Sequence, residues 1–154
     1  MSNSERSGAA KVVVQRRGLP YRTQVHIEPG AQFREQRLVT ASDTAEALGT
    51  GEVPVLASSR AFAWCEAASL NVLAPFVPEG STSVAMRVQM DHIRAASPGC
   101  WVTTIATLER VEGRRYVFVV SLLDEQNDEL ASGRIVRVVV ETEPFLARAC
   151  GPAK

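Results

Sequence analysis

The chain has 154 residues, 45% of them hydrophobic, and Lys plus Arg equals Asp plus Glu at 17 each. That length favours one domain whose core needs neither disulfides nor a structural metal, and a zero net charge supplies no field to gather nucleic acid or an anionic membrane. The three cysteines, Cys65, Cys100 and Cys150, lie far apart and only two histidines accompany them, which argues against a cysteine-rich zinc site and for a reducing compartment.

Met1 to Ala10 (MSNSERSGAA) lacks the apolar segment of a secretory signal, and no uncharged run reaches the ~20 apolar residues that span a bilayer. These features predict a cytoplasmic protein with a flexible tail at 1–10, one domain over 11–145 and a second tail at 146–154, with no metal and no cofactor. Lys11 to Gln15 (KVVVQ) is β-prone. Tyr21 to Ile27 (YRTQVHI) alternates enough to be a strand, closed by Glu28-Pro29-Gly30, with His26 out of phase with Val25 and Ile27, as a surface side chain would be. Ala31 to Val55 shows no clear period. Within it Asp43 to Leu48 (DTAEAL) predicts a short helix that Gly49 and Gly51 break.

The next stretch, Ser58 to Phe76 (SSRAFAWCEAASLNVLAPF), reads as a helix of ~15 residues and ~23 Å. Ser58 or Ser59 can cap its first turn, and Pro75 disfavours helix at Ala74. From Ala61 to Pro78 it carries one charge, Glu66, among Phe62, Trp64, Cys65, Leu70, Val72 and Leu73. A helix apolar nearly all round is buried, so the Glu66 carboxylate is expected inside, where it is costly without a partner or a use.

From Ser81 the period changes to two. Val84, Met86, Val88 and Met90 alternate with Ala85, Arg87, Gln89 and Asp91, and continued alternation puts His92 on the apolar, inward face. Pro98-Gly99 makes a turn, Cys100 to Val111 is rich in β-branched residues, and Glu112-Gly113-Arg114 reads as a hairpin connection. Tyr116 to Leu123 is apolar on both faces, as in a central strand. Asp124 to Glu129 is a polar loop, Leu130 to Val140 a last strand, and Glu141 to Lys154 carries no readable signal. One helix followed by four successive antiparallel strands, with a strand before it, argues an α+β fold in which the helix covers one face of the sheet. The helix is apolar on more sides than one sheet covers, which points to a second copy of the chain.

The ordered set V-L-A-S-S (Val55 to Ser59), E-A-A (Glu66 to Ala68), L-A-P-F (Leu73 to Phe76), P-E-G-S-T-S-V (Pro78 to Val84), D-H (Asp91-His92), S-P-G (Ser97 to Gly99), V-E-G-R-R (Val111 to Arg115) and A-S-G (Ala131 to Gly133) resembles the fluoroacetyl-CoA thioesterase-like family. The resemblance implies a hot-dog fold, a long helix wrapped by an antiparallel sheet of about five strands, with two subunits joined through their sheets. It implies a catalytic set of a hydroxyl at the helix start, a glutamate two turns on and a histidine on the following strand, which fall on Ser58, Glu66 and His92. The family hydroxyl is typically threonine. Ser59, Ala85 and Arg137 fall on substrate-binding positions. The aromatic gate of the fluoroacetyl enzyme has no counterpart in Glu52-Val53-Pro54, so fluoroacetyl selectivity is not implied. The implied partners are an acyl-CoA or acyl-carrier-protein thioester and a second copy of the chain, with no nucleic acid and no membrane.

Each residue also has a bland reading. Ser58 suits capping alone, Glu66 a buried ion pair with an arginine such as Arg137, and His92 a hydrogen-bonded place in the core. Thioester hydrolysis needs oxyanion donors, a nucleophile or oriented water, and a proton route to the leaving thiolate. The helix start supplies donors; Glu66 can attack or orient water, and His92 can act as base or activate Ser58. Ser58 and Glu66 are ~12 Å apart and ~80° round an ideal helix, so the helix start bends or the site combines two subunits. A hot-dog dehydratase is the second enzyme reading, though the H-x-x-P-x-x-x-G pattern is absent in HIRAASPG (His92 to Gly99). A non-catalytic acyl-binding module is the third.

Overall fold

Period-two burial along the strands builds a single antiparallel sheet in the computed structural model, which describes residues 25–149 and 151. The strands are β1 (Gln32–Leu38), β2 (Ser81–His92), β3 (Trp101–Glu112), β4 (Arg115–Leu123) and β5 (Glu129–Glu141), in the order β1-β3-β4-β5-β2. β3, β4 and β5 form a meander. β2 pairs not with β3, the next strand in the chain, but with β5 at the opposite edge, and the chain from 93 to 100 crosses one end of the sheet to reach β3. Backbone bonds mark that path: Ile93 N donates to Leu130 O at 2.8 Å, and Gly99 N to Val39 O at 2.8 Å. β4 lies between β3 and β5, the central place its two apolar faces predict.

Helix α2 (Ser58–Leu73) continues into a 3-10 turn at Ala74–Phe76 that contains Pro75. Its buried residues, Ala61, Cys65, Ala68, Ser69, Val72 and Leu73, recur at the three- and four-residue spacing of one helix face. Most are small, so the helix lies close against Phe118, Val120, Leu122 and Ile135, all fully buried. Each such large side chain contributes ~1.5–3 kcal/mol of apolar burial. The sheet covers only this face. Ala63, Glu66 and Asn71 are exposed on the other side, so the expectation of a helix buried all round, with the Glu66 carboxylate inside, fails within one chain.

Among the described residues the first strand is β1, which follows the stretch Tyr21 to Ile27 expected to form one. Val25 to Glu28 form no strand and the rest of Tyr21 to Ile27, like Lys11 to Gln15, lies outside the described residues. β1 is QFREQRL, an edge strand half-exposed along its length, and its polar residues hide the alternation in sequence. Val25 and Ile27 are nonetheless buried, and His26 is exposed as expected. The short helix forms as α1 (Ala45–Leu48), with Thr44 capping Ala47 N at 3.2 Å and Gly49 ending it at φ 67. A helix α3 (Thr142–Ala147) lies within Glu141 to Lys154, the stretch that carries no readable signal.

The regular alternation of β2 is broken once. Its register against β5 shifts between Ala85 and Arg87, a bulge with Met86 as the extra residue. Val84 faces Val138, whereas Val88, Met90 and His92 face Ile135, Gly133 and Ala131. The residues grouped on one face by simple alternation are therefore divided, and only those after the bulge share the helix-facing side with His92.

Candidate active site

The chain is fixed tightly where it enters α2. Leu56 N donates to Ala96 O at 2.7 Å and Ala57 N to Asp43 O at 2.9 Å, and Arg60 pairs with Asp43 at 3.2 Å. The first of these bonds ties the helix entrance to the loop after β2, so the ends of two elements distant in sequence are held side by side. The residue that caps the helix is Ala57, with no side-chain cap bond. Neither Ser58 nor Ser59 fills that role, and the capping reading of Ser58 does not hold. Ser58 is the first helical residue, and its Oγ lies 2.8 Å from Nδ1 of His92.

His92 faces inward and is partly buried. Its other ring nitrogen, Nε2, is buried and has no hydrogen-bond partner among the described residues. With Ser58 donating to Nδ1, the ring carries its proton on Nε2; with Nδ1–H donating to Ser58, Nε2 is a free base. Either tautomer leaves one proton position available for exchange. Ser58 also sits at the N-terminal end of a 16-residue helix, whose unpaired N–H groups and dipole favour developing negative charge.

Glu66 is not bonded to this pair. α2 is continuous from Ser58, so the bent helix start is not found, and the two residues stay ~12 Å apart along one chain. The Glu66 side chain is solvent-exposed, while its backbone carbonyl accepts from Ser69 Oγ at 2.6 Å and from Arg137 Nη1 at 3.4 Å. Arg137 is only 4% exposed. Its Nε donates to Ser83 Oγ and its Nη2 to Ser83 O, both at 2.8 Å, and Nη1 reaches Ser69 Oγ at 3.3 Å. It thus joins β5, β2 and α2, with no carboxylate in ion-pair contact among the described residues. Burial pushes its guanidinium below the ordinary value, and the nearby Glu66 carboxylate draws it partly back.

Ala85 is half-buried, lies opposite Arg137 across the ladder and immediately precedes the bulge. Ser59 is exposed beside Ser58. Sequence reasoning singled out neither Ser69 nor Ser83, which hold Arg137. Their signal was a hydroxyl on the buried face of the helix and another two residues before Ala85 on its strand.

Residues 39–143, more than half of the chain, match the family described as FlK, fluoroacetyl-CoA-specific thioesterase. The fluoroacetyl-CoA thioesterase of Streptantibioticus cattleyicolor is 37% identical over 83 residues, which cover 54% of this chain and 59% of that protein. The chain therefore matches somewhat over half the length of that relative. Among solved structures, a variant of the fluoroacetyl-CoA-specific thioesterase FlK in complex with fluoroacetate and CoA aligns at TM-score 0.71 and 30% identity, over 77% of this chain and 99% of that one. A hot-dog-like protein from Thermanaerovibrio acidaminovorans aligns at TM-score 0.72 and 27% identity, over 78% of this chain and 88% of that one. One helix laid across a five-strand antiparallel sheet is thus a hot-dog fold, and the chain belongs to the FlK fluoroacetyl-CoA-specific thioesterase family.

Proposed function

We propose that the protein hydrolyses acyl thioesters of coenzyme A or an acyl carrier protein, with Ser58, His92 and Glu66 as its catalytic groups. The observation that carries this reading is the 2.8 Å contact between Ser58 Oγ and His92 Nδ1, made by a serine that capping does not employ. Family membership and the CoA-bound relative support the substrate class. In the reaction an oxygen nucleophile forms a bond to the thioester carbonyl, the N-terminal end of α2 receives the negative charge on its oxygen, and the C–S bond breaks. His92 relays a proton between the attacking oxygen and the leaving thiolate. The attacking group is water held by His92, which gives the free acid directly, or it is Ser58 or the Glu66 carboxylate, whose acyl ester or acyl anhydride a water would then open with release of the acid.

The exposed Glu66 carboxylate is best explained by a homodimer in which Glu66 of one subunit completes the Ser58–His92 pair of the other. Ser59 and Ala85 border the acyl group, and Arg137 holds the segment that bears Glu66. The absence of an aromatic residue in Glu52-Val53-Pro54 favours ordinary short or medium acyl groups over fluoroacetyl.

Thiol release from a panel of acyl-CoA esters tests the proposal. Release is expected in the wild type and ~100-fold slower or worse in His92→Ala and Glu66→Gln, the range for loss of a positioned acid or base. Tight acyl-CoA binding without release would instead establish a binding module. For the shared site, a heterodimer of Ser58→Ala and Glu66→Ala chains should regain activity through its one intact set; a mixture as inactive as its parents would exclude it.

A further inference from the structure

On the outer face of the sheet, away from α2, four residues lie in one row across four strands: Arg87 on β2, Val136 on β5, Val117 on β4 and Arg110 on β3. Arg115 stands one outward position before Val117 on β4, opposite Glu112. Together with Met86 these side chains line a shallow groove. Two irregularities in the ladder create it. The bulge at Met86 turns Arg87 outward, and a second register shift between Leu108 and Arg110 turns Arg110 outward at the same level.

The charges in this groove are unevenly matched. Arg110 is bonded to Glu109 and Glu112, and Arg134, beside the groove, to Glu109. Arg87 and Arg115 make no ion pair among the described residues. Beneath the arginines Val117 is 2% exposed although it faces outward, so the guanidinium stems cover an apolar floor while their heads remain in water. Arg87 and Arg115, the two without a carboxylate, start ~12 Å apart, two strand spacings across the sheet and two residues along it, and both side chains line the groove. Fork-shaped donors facing across a groove suit the oxygens of a phosphoryl group, which two guanidinium planes can hold in bidentate contacts.

We propose that this outer groove is an anion site that binds a small phosphate ester or diphosphate through Arg87 and Arg115, with Arg110 and Glu112 as its far wall. Phosphoryl binding in this groove uses neither Ser58 nor His92, so it can be measured without turnover. The phosphoryl group has two sources, the nucleotide end of a coenzyme A substrate or a separate phosphate ester.

Titration calorimetry with inorganic pyrophosphate is the direct test. The wild type should bind one equivalent per chain, and Arg87→Ala combined with Arg115→Ala should weaken binding at least ten-fold. Lysine at both positions should fall between the two, since it keeps the charge but loses the fork. An unchanged circular dichroism spectrum would show that both variants fold. Absence of saturable binding in the wild type, or equal affinity in the double alanine variant, would overturn the proposal. The source is read from KM: an increase for acetyl-CoA but not for acetyl-pantetheine places the substrate's nucleotide in the groove, and no increase for either assigns it to a separate phosphate ester. Failure of thiol release altogether would refute the proposed catalysis and leave the pyrophosphate measurement decisive for the groove.

Discussion

Gly133 is the position at which one methyl group should do the most damage. It pairs with Met90 across the β5–β2 ladder, and a Cβ there would lie 2.0 Å from Gln89 O and 2.7 Å from Met90 Cα. Both are backbone atoms, so no rotamer change relieves the clash, and β2 must move away by more than ~1 Å to restore van der Waals separation. A ladder bond stretched that far from ~2.9 Å is no longer a hydrogen bond. Two such bonds at ~1 kcal/mol each, added to an overpacking cost of ~1–3 kcal/mol, put Gly133→Ala about 3–5 kcal/mol below the wild type. For a chain of this size that is a fall in Tm of roughly 10 °C. His92 ends the same strand, so its 2.8 Å contact with Ser58 should open as well, and a misplacement near ~1 Å costs ~100-fold in rate. Urea titration and thiol release below the variant's Tm measure the two effects separately. A Tm within ~2 °C of wild type, one-fifth of the expected shift, would refute the close approach of β2 to Gly133.

Three further outcomes follow from the same geometry. Ser58→Ala should leave stability within ~0.5 kcal/mol of wild type in urea, well short of the ~1 kcal/mol typical of a lost cap, because Ala57 is the capping residue; its effect should appear in thiol release. Arg137→Met should destabilise by ~2 kcal/mol, since Ser83 loses two donors in a buried place, and adding Ser83→Ala should recover part of the loss in a double-mutant cycle. Burial raises the Cys65 thiol from 9.0 to about 12, so the unfolded chain ionises first and the contribution is intact below pH ~9 and lost as pH rises towards ~12, at ~1.4 kcal/mol per pH unit. Cys65→Ala should flatten the alkaline slope of urea stability by that amount, and parallel slopes would contradict it.

The parts of the fold that could be read in advance were those in which one residue type repeats at one period. β3, β4 and β5 are long, rich in Val, Leu and Ile, and buried at alternate positions, so periodicity and turns sufficed to locate them. β1 could not be read in the same way because QFREQRL is an edge strand whose burial alternates only between half-exposed and exposed. α2 was legible in extent but not in environment: its apolar residues are real, yet a list of them does not say how many sides one chain covers. The expected membership of the site was Ser58, Glu66 and His92, and the single chain brings only Ser58 and His92 into contact. Ser69 and Ser83 were invisible because a serine states its purpose only when its partner, here Arg137, is known.

The bulge at Met86 connects these observations. On β2, Ser83 and Ala85 face Val139 and Arg137 on the helix side of the sheet. In an unbroken strand the inward positions would continue through 87, 89 and 91. His92 would then point outward, away from Ser58, and Arg87 would enter the apolar space beneath α2. One extra residue reverses the phase. It lets the first half of β2 present Ser83 to Arg137, lets the second half present His92 to Ser58, and turns Arg87 out into the groove with Arg110 and Arg115. The inward position of His92 agrees with uninterrupted alternation from Val84, but it is reached by a different route: Val84 is on the outer face and the bulge intervenes. The extra residue satisfies constraints on both faces of the sheet that an alternating strand cannot meet together, so the conformation of Met86, which touches neither Ser58 nor His92 by any hydrogen bond, decides whether that pair can form.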